Sequence, residues 1–261
     1  MGGVDEAITS LTNRRVKEAA ALQRRRTREA TGRYLIEGPN PVLDALVDGV
    51  VEQLFVTPDA AAEVGPTAAA AGVSLTLVDA DVLRKIADSV TPQGVVAVAV
   101  ASPARLQDVV GRGFLVVLYE VADPGNAGAI VRTADAAGAA GVIFTTGSVD
   151  PYSPKAVRAA AGSVTHLPLV TGVALDDVVT ACRQVGQQVV GLDAGGSTSL
   201  EEPGALSSPL ALVFGNEAHG LPAPVLAGLD RTVHVPIHGR AESLNVAATV
   251  AVACYAAARA R

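Results

Sequence analysis

Runs of continuously apolar residues restrict the fold of this chain most strongly. Phe114–Glu120 begins FLVVL, Val142–Thr145 reads VIFT and Leu210–Phe214 reads LALVF. A strand with one face in water alternates apolar and polar residues, whereas continuous apolar runs are typical of strands covered on both faces. Helical stretches lie between these runs, so the pattern predicts an α/β domain with a mostly parallel sheet.

The N-terminal part of the chain repeats the alternation on a smaller scale. Strands are expected at 34–38, 54–56, 75–78 and 95–100, and helices at 11–30, 39–47, 58–71 and 79–88. Further strands of the C-terminal part are expected at 167–170, 189–193 and 232–236. These patterns predict a domain at 1–101, a linker at 102–112 that begins Ser-Pro, and a second domain at 113–261.

Composition excludes several classes of protein. The apolar helix Asn245–Ala258 has fourteen residues, too few to span a bilayer, and the N-terminus carries no apolar signal region. We therefore expect a soluble cytoplasmic protein with no membrane partner. Cys182 and Cys254 stand in apolar helical patterns, so they are expected to be buried free thiols, and no metal-ligand spacing is present.

Charge is distributed unevenly along the chain. The net charge is −6, but residues 1–33 hold eight basic and four acidic residues, so this segment is +4 and the remainder is −10. A basic arm on an acidic body favours a partner with a phosphate backbone, although a solvated helix face gives the same pattern. The RNA-binding candidates of this arm are Arg14, Arg15, Lys17, Arg24, Arg25, Arg26 and Arg28.

Polar residues collect in the loops that follow the apolar strands, where parallel α/β sheets bind ligands. The first loop is Asp123–Gly128, and Arg132 follows in an otherwise apolar stretch. Asn126 is suited to cap the helix that begins here. Arg132 either forms a structural ion pair or holds a phosphate or substrate. The glycines fall short of a dinucleotide fingerprint, which argues against a nicotinamide oxidoreductase.

Two further loops complete the pattern. In LVFGNEAHGL, Gly215 would let a ligand approach the backbone, and Glu217 could pair with Arg132, orient a substrate or simply be solvated. His219 is expected to be a surface residue. In VHVPIHGRAESLN, Ser243 or Asn245 caps the last helix, so the positive end of that helix faces the same crevice.

Taken together, the three loops resemble the three signature motifs of the SpoU (TrmH) branch of the SPOUT superfamily of RNA 2′-O-ribose methyltransferases. DPGNAGAIVRTADAAGAAGV resembles the first motif, LVFGNEAHGL the second and VPIHGRAESLNVAATVAVACY the third. DPYSPKAVRAAAGSV resembles the segment between the first and second motifs, and the first forty residues are similar to the start of the family's L30e-like substrate-binding domain.

The resemblance implies a deep trefoil knot in the C-terminal domain and a homodimer formed through that domain. It also implies an S-adenosylmethionine site and a methyl transfer to a ribose 2′-hydroxyl that requires no metal. The substrate expected first is 23S ribosomal RNA, and tRNA or a self-protecting rRNA modification in an antibiotic producer are the alternatives. An RNA-binding homologue without activity is an alternative hypothesis, and the presence of the polar residues of the three motifs argues against it.

The family's functional residues map onto this chain at its three loops. The implied cofactor-binding residues are Gly215, Val235, Ile237, Ser243 and Leu244. A bulky residue at position 215 is expected to abolish cofactor binding by filling the space of the ligand. The implied catalytic residues are Arg132, Asn126, Glu217, Ser243 and Asn245. Arg132 would act either as the base for the hydroxyl or, since the pKa of arginine is above about 12, as an electrostatic stabiliser.

Overall fold

The structure is a computed structural model that describes residues 7–207 and 209–260. Its helices are α1 (Arg14–Ala21), α2 (Arg25–Thr31), α3 (Pro39–Val47), α4 (Pro58–Ala70), α5 (Ala80–Ile86), α6 (Leu106–Val109), α7 (Pro124–Ala136), α8 (Pro154–Ala160), α9 (Ser163–His166), α10 (Leu175–Gln184), α11 (Ala223–Gly228) and α12 (Val246–Arg259). Its strands are β1 (Arg33–Glu37), β2 (Val51–Val56), β3 (Leu75–Leu77), β4 (Val95–Val100), β5 (Phe114–Leu118), β6 (Gly141–Thr145), β7 (Leu169–Val173), β8 (Gln188–Leu192), β9 (Thr198–Ser199), β10 (Leu210–Phe214) and β11 (Arg231–His234).

The chain forms two compact units that differ from the domains expected from the sequence. The first unit comprises residues 1–102 together with 152–166, and the second comprises 103–151 and 167–261. The expected linker 102–112 is not irregular throughout, because it contains α6 and nearly all of it packs with the second unit. Residues 152–166 lie within the second domain expected from the sequence, but in the structure they pack with the first unit.

Specific contacts hold residues 152–166 in the first unit. The rings of Tyr152 and Tyr34 lie 4.9 Å apart between centroids. The Arg158 guanidinium donates to the Asp88 carboxylate at 2.7 Å and lies 3.6 Å from that of Glu37, whose side chain is only 6% exposed. Burial raises the pKa of Tyr34 well above its usual range. An aromatic pair and a charged cluster therefore hold residues 152–166 against the first unit, although these residues are distant from it in sequence.

The first unit is built on a small mixed sheet with the strand order β1-β4-β2-β3. β4 is antiparallel to both β1 and β2, and β2 is parallel to β3. One face of the sheet packs against α1 and α5 through a buried cluster that includes Val16, Leu35, Phe55 and Ile86. This arrangement confirms the small α/β unit expected from the alternating apolar runs.

The helix expected at 11–30 is two helices, separated by a turn at residues 22–24. The side-chain amide of Gln23 donates to three carbonyls at and just beyond the end of α5, those of Lys85, Ile86 and Ala87, at 2.8–3.2 Å. Arg28 turns back from α2, and its Nη1 donates to the carbonyls of Leu22 and Gln23, both at 2.9 Å. These bonds satisfy carbonyl groups that a helix end leaves without partners, so the break is stable.

The second unit is built on a seven-stranded sheet with the order β7-β6-β5-β10-β8-β11-β9, and every recorded pairing in it is parallel. One face packs against α6, α10 and α11 through a buried cluster that includes Val117, Ile143 and Val213. The other face is covered by α7 and α12. Coverage on both faces explains why the strands are continuously apolar, and the predicted fold class is confirmed.

The strand order places a switch point at the centre of this sheet. The chain runs from β5 outward to β6 and β7, then returns to β8, and β10 fills the gap between β5 and β8. Phe214, the last residue of β10, pairs with Leu118 of β5 and with Leu192 of β8. The loops that follow these three strands therefore begin at one level, where crevices of open parallel sheets bind ligands.

The last helix, α12, is buried on one side only. Val250, Ala253, Cys254 and Ala257 are buried, and α12 packs on α7 and on strands β5 and β10. Val252 and Tyr255 are 42% and 53% exposed, so within a single chain the helix is not buried all round. In the described residues, no helix combines the length and hydropathy needed to cross a membrane.

Candidate active site

A cavity of about 500 Å³ opens at the switch point of the second unit. Its walls are the loops after β8, β10 and β11 together with the start of α12. The lining includes all five of the residues expected to bind a cofactor: Gly215, Val235, Ile237, Ser243 and Leu244. The volume is in the range of small-molecule sites, so the structure brings these five residues together around one open cavity.

A hydrogen-bonded network joins the three loops beside this cavity. The Glu217 carboxylate accepts from the backbone amides of Ala122 and Asp123 and from the Asn126 side-chain amide, each at 3.0 Å. Asn126 in turn accepts at 3.2 Å from the side-chain amide of Asn245. Three of the expected catalytic residues thus form a chain of contacts, in which Asn126 meets one partner 91 and the other 119 residues away in sequence.

Asn126 can take part in this network because other residues cap the neighbouring helices. The structure shows that the sequence-based assignment of Asn126 as the cap of α7 is wrong: Asp123 is the N-cap and its side chain accepts from the Asn126 backbone amide at 2.8 Å. Asn245 does cap α12, accepting from the amides of Ala247 and Ala248. The Asn245 side-chain oxygen therefore serves the helix, while its amide serves Asn126.

Glu217 is held as a carboxylate. Partial desolvation raises its pKa, but the hydrogen bonds from Ala122, Asn126 and Asp123 favour the charged form, and together they bring the pKa below its ordinary value. All of its described partners are donors of this kind. Glu217 is therefore not paired with Arg132, which was one of the possibilities left open by the sequence.

Gly215 is required by the protein's own backbone. A Cβ atom at this position would lie 2.2 Å from the carbonyl carbon of Gly220 and 2.6 Å from the amide nitrogen of Leu221. The adjoining Asn216 forms two backbone hydrogen bonds with Gly220, which close the loop. The expectation that a side chain here would first meet a ligand is therefore corrected, because it would first meet the loop itself.

Arg132 stands apart from the other expected catalytic residues. It projects from α7 as an exposed side chain, does not line the cavity and has no hydrogen bond or ion pair within residues 7–207 and 209–260. Its guanidinium, with five donors and a fixed positive charge, is thus available to a group outside this chain. His219 is exposed, as expected, and lies outside the network.

The basic residues of the N-terminal arm do not form one equivalent set. The structure contradicts an RNA-binding role for Arg28, which is 7% exposed and bonded to backbone carbonyls. Arg15 donates to the hydroxyl of Thr76 at 2.7 Å, while its guanidinium lies 5.9 Å from the ring centre of Phe55. The remaining candidates have exposed side chains: Arg14, paired with Glu18, Arg25, paired with Glu29, and Lys17, Arg24 and Arg26.

Several cavity residues were not foreseen from the sequence. Asp193 follows β8, His234 ends β11 and Glu242 precedes the last helix. His234 Nδ1 lies 2.8 Å from the Gly196 carbonyl, which ties the loop after β8 to β11. The strand expected at 189–193 included Asp193, whereas β8 ends at Leu192 and Asp193 begins the loop at the end where such sheets bind ligands. The strand limit and the absence of a recognisable motif together kept Asp193 out of the expected site.

Comparison with known proteins identifies the class to which this fold and site belong. A structure of an AdoMet-bound rRNA methyltransferase from Sinorhizobium meliloti superposes with a TM-score of 0.87 at 34% identity, covering 97% of each chain. The SpoU methyltransferase AviRb from Streptomyces viridochromogenes, in complex with AdoMet, gives a TM-score of 0.81 at 31% identity, over 95% of this chain and 97% of that one. The class is therefore that of the SpoU RNA methyltransferases.

Family models and a relative agree with this assignment. Residues 113–255 match the SpoU rRNA Methylase family, and residues 13–97 match the MRM3-like substrate binding domain. A 23S rRNA (guanosine(2553)-2′-O)-methyltransferase, RlmP of Bacillus subtilis, is 32% identical over 249 residues, or 95% of this chain and 97% of the relative. This chain belongs to the SpoU rRNA methylase family, as the three motifs predicted.

Proposed function

We propose that this protein transfers a methyl group from S-adenosylmethionine to a ribose 2′-hydroxyl of 23S ribosomal RNA in the cytoplasm. The observation that carries the proposal is the Asn126–Glu217–Asn245 network beside a cavity lined by the five expected cofactor residues. The relative RlmP, which is similar over nearly its whole length, supports ribosomal RNA as the substrate rather than tRNA.

The cavity suits S-adenosylmethionine by the chemistry of its walls. Ile237 and Leu244 are large apolar side chains left 37% and 40% exposed, and both line the cavity, where an adenine ring would cover them. Gly215 and Val235 would contribute backbone groups, and Ser243 a hydroxyl. When bound, the cofactor supplies an electrophilic methyl group on a positively charged sulfur.

The polar network would position the ribose next to the cofactor. Asn126 is fixed from both sides, by Glu217 and by Asn245, so its orientation is set before substrate binds. Preorganised groups of this kind lower the barrier because they need not reorder during the reaction. Ser243, at the mouth of the same cavity, would complete the contacts to the sugar.

Arg132 would act from outside its own chain's cavity. We infer that the enzyme is a homodimer through the second unit, in which the exposed Val252 and Tyr255 of α12 are covered by the partner subunit. Because α7 packs against α12, exposed residues of α7 would then lie close to the partner. Arg132 would bind the RNA phosphate there and stabilise the developing alkoxide, the role its high pKa allows. The proposed knot would form by threading α12 through a loop of its own domain. In the proposed dimer, α12 would then lie between the cavity of its own subunit and that of the partner subunit.

Two experiments test this function. Primer extension on 23S rRNA from cells with and without the gene should show one 2′-O-methyl stop that disappears with the gene, and an unchanged rRNA map would refute the substrate. Arg132→Ala should keep cofactor affinity and lose about 100-fold or more in transfer rate, the scale of one positioned charge. A variant that keeps its full rate would remove Arg132 from the mechanism.

The dimer has a separate test. Light scattering should show two chains per particle for the wild type, and Tyr255→Glu should shift it toward one by burying a charge in the proposed interface. Mixing Arg132→Ala with Asn126→Ala subunits should restore activity above either variant alone if the site is shared between subunits. An active monomer would contradict both inferences.

A further inference from the structure

The cofactor cavity has a one-sided charge. Among the described residues that line it, three carry carboxylates, Asp193, Glu217 and Glu242, and none is lysine or arginine. The remaining titratable group in the lining is His234. Three acidic side chains and no basic one around a small space give the cavity a negative potential.

The three carboxylates differ in how they are bonded. Glu217 accepts three hydrogen bonds, from the backbone just before α7 and from Asn126 in its first turn, so its charge is already well compensated. Glu242 is exposed and has no hydrogen bond or ion pair to the described part of the chain. Asp193 accepts a single bond through Oδ2, from the Gly195 amide at 2.8 Å, and Oδ1 accepts none from residues 7–207 and 209–260.

The backbone around Asp193 is firmly held. Its own amide donates to the Val233 carbonyl at 3.1 Å, at the end of β11. A Cβ atom at Gly196 would lie 2.6 Å from the Val233 carbonyl carbon, so this loop packs directly against the strand. Asp193 is also half-buried, which reduces the screening of its charge by water. The geometry therefore fixes a negative charge in the wall of the cavity.

We propose that Asp193, assisted by Glu242, makes this cavity select a positively charged occupant, so that the methyl donor binds in preference to its demethylated product. The inference rests on the proposed placement of S-adenosylmethionine in this cavity. The donor has one net positive charge, from its sulfonium, whereas the product S-adenosylhomocysteine has none.

The reaction itself switches this attraction off. The ribose oxygen forms a bond to the methyl carbon, the bond from that carbon to sulfur breaks, and its electron pair stays on sulfur. The hydroxyl proton leaves to solvent and carries the positive charge away. Before transfer the carboxylates attract the donor, and afterwards they gain nothing from the neutral thioether. The charge of the wall would thus favour exchange of product for fresh donor.

Calorimetry with three ligands tests the proposal without measuring turnover. The ligands are S-adenosylmethionine, S-adenosylhomocysteine and sinefungin, in which an amine supplies the positive charge. Asp193→Asn should weaken the two charged ligands about fivefold and leave the neutral one nearly unchanged, since one partly screened charge is removed. Glu242→Gln should weaken the same two charged ligands by a smaller factor. Glu201, an exposed acid of the same unit, lies outside the cavity lining, so Glu201→Gln should change none of the three affinities.

The alternative role of Asp193, a hydrogen bond to the ribose hydroxyls of the cofactor, gives a different result. Loss of that bond would weaken all three ligands equally, and such a result would overturn charge selection. Raising the salt concentration should weaken the charged ligands alone. Thermal unfolding of each variant checks that it is folded. If Asp193→Asn does not fold, Glu242→Gln still tests the proposal, because Glu242 has no hydrogen bond or ion pair to a described residue.

Failure of the cofactor placement would be visible separately. Ile237→Ala removes an apolar wall of the cavity and should weaken donor and product alike. If Ile237→Ala and Asp193→Asn both left every affinity unchanged, the cofactor would bind elsewhere and the proposed function would lose its site. If only Asp193→Asn had no effect, the site would stand and charge selection would be wrong.

Discussion

Replacement of Gly215 by alanine should damage the second unit far more than replacement of neighbouring glycines. The new Cβ would lie 2.2 Å from the Gly220 carbonyl carbon and 2.4 Å from its oxygen, and backbone atoms cannot rotate out of the way. The loop must therefore move by about 1 Å to reach ordinary contact distance. That movement would break the two backbone bonds between Asn216 and Gly220, of 3.2 and 2.9 Å.

The expected cost follows from these two effects. Two lost backbone hydrogen bonds contribute about 1 kcal/mol each. Overpacking of a tight site adds about 1–3 kcal/mol. The free energy of unfolding should fall by about 4 kcal/mol, which for a unit of this size lowers the melting temperature by about 10 °C. Cofactor affinity should fall with it, because the same loop forms a wall of the cavity.

Thermal unfolding followed by circular dichroism, with calorimetric binding of S-adenosylmethionine, measures both effects. Gly220→Ala is the first control: its φ is +64° with no atom within 4 Å of a Cβ, so it should cost about 1 kcal/mol of backbone strain. Gly228→Ala is the second, because its Cβ would meet open space and its φ is ordinary. If Gly215→Ala melts within 2 °C of Gly228→Ala, the steric reasoning is refuted.

Three further predictions concern other parts of the molecule. Arg28→Ala should lower the free energy of unfolding of the first unit by about 2 kcal/mol, because two hydrogen bonds are lost. Arg26→Ala, on the same helix, should leave the melting temperature unchanged and flatten the salt dependence of RNA binding. The opposite pattern would contradict the structural role of Arg28 and the RNA-binding role of Arg26. The folded-state pKa of Glu217 is lowered, so its stabilisation is present above the unfolded pKa and lost as pH falls through the folded pKa. Urea unfolding should show Glu217→Gln less stable than wild type at neutral pH, and the difference should disappear once the pH is below the folded pKa. Burial raises the pKa of Cys182 to about 11 and that of Cys254 to about 12, so a thiol reagent at about pH 8 should label neither until the protein is denatured, and rapid labelling of the native protein would disprove their burial.

Much of the second unit could be predicted from local pattern alone. The strand Leu210–Phe214 has the predicted limits, and Phe114–Leu118 is only two residues shorter than expected, because continuous apolar runs have few alternatives to a buried parallel strand. Strand β5 ends at Leu118 and not at Glu120, because Glu120 adopts a left-handed backbone with φ of 52° that does not fit a strand. A single residue of this kind leaves no trace in hydropathy.

The site was predictable in its members and not in its contacts. Residues Asn126, Glu217 and Asn245 were identified by their motifs, yet the motifs contain no information about which side chain accepts from which amide. Asn126 looked like a helix cap because its residue type suits that place, but Asp123 stands one turn earlier and competes successfully for it. Arg28 was misassigned for a similar reason, since charge alone does not reveal that a guanidinium turns inward.

The packing of residues 152–166 with the first unit has a consequence for how such a protein can be dissected or recombined. The polypeptide passes between the two units at three places, after residues 102, 151 and 166. A fragment that starts at residue 103 would therefore carry Ala156, Val157 and Ala160 without the unit that buries them. Exchange of the first unit between relatives must therefore transplant two separate stretches of sequence at once. A simple fusion at residue 102 should yield a protein with exposed apolar residues that tends to aggregate.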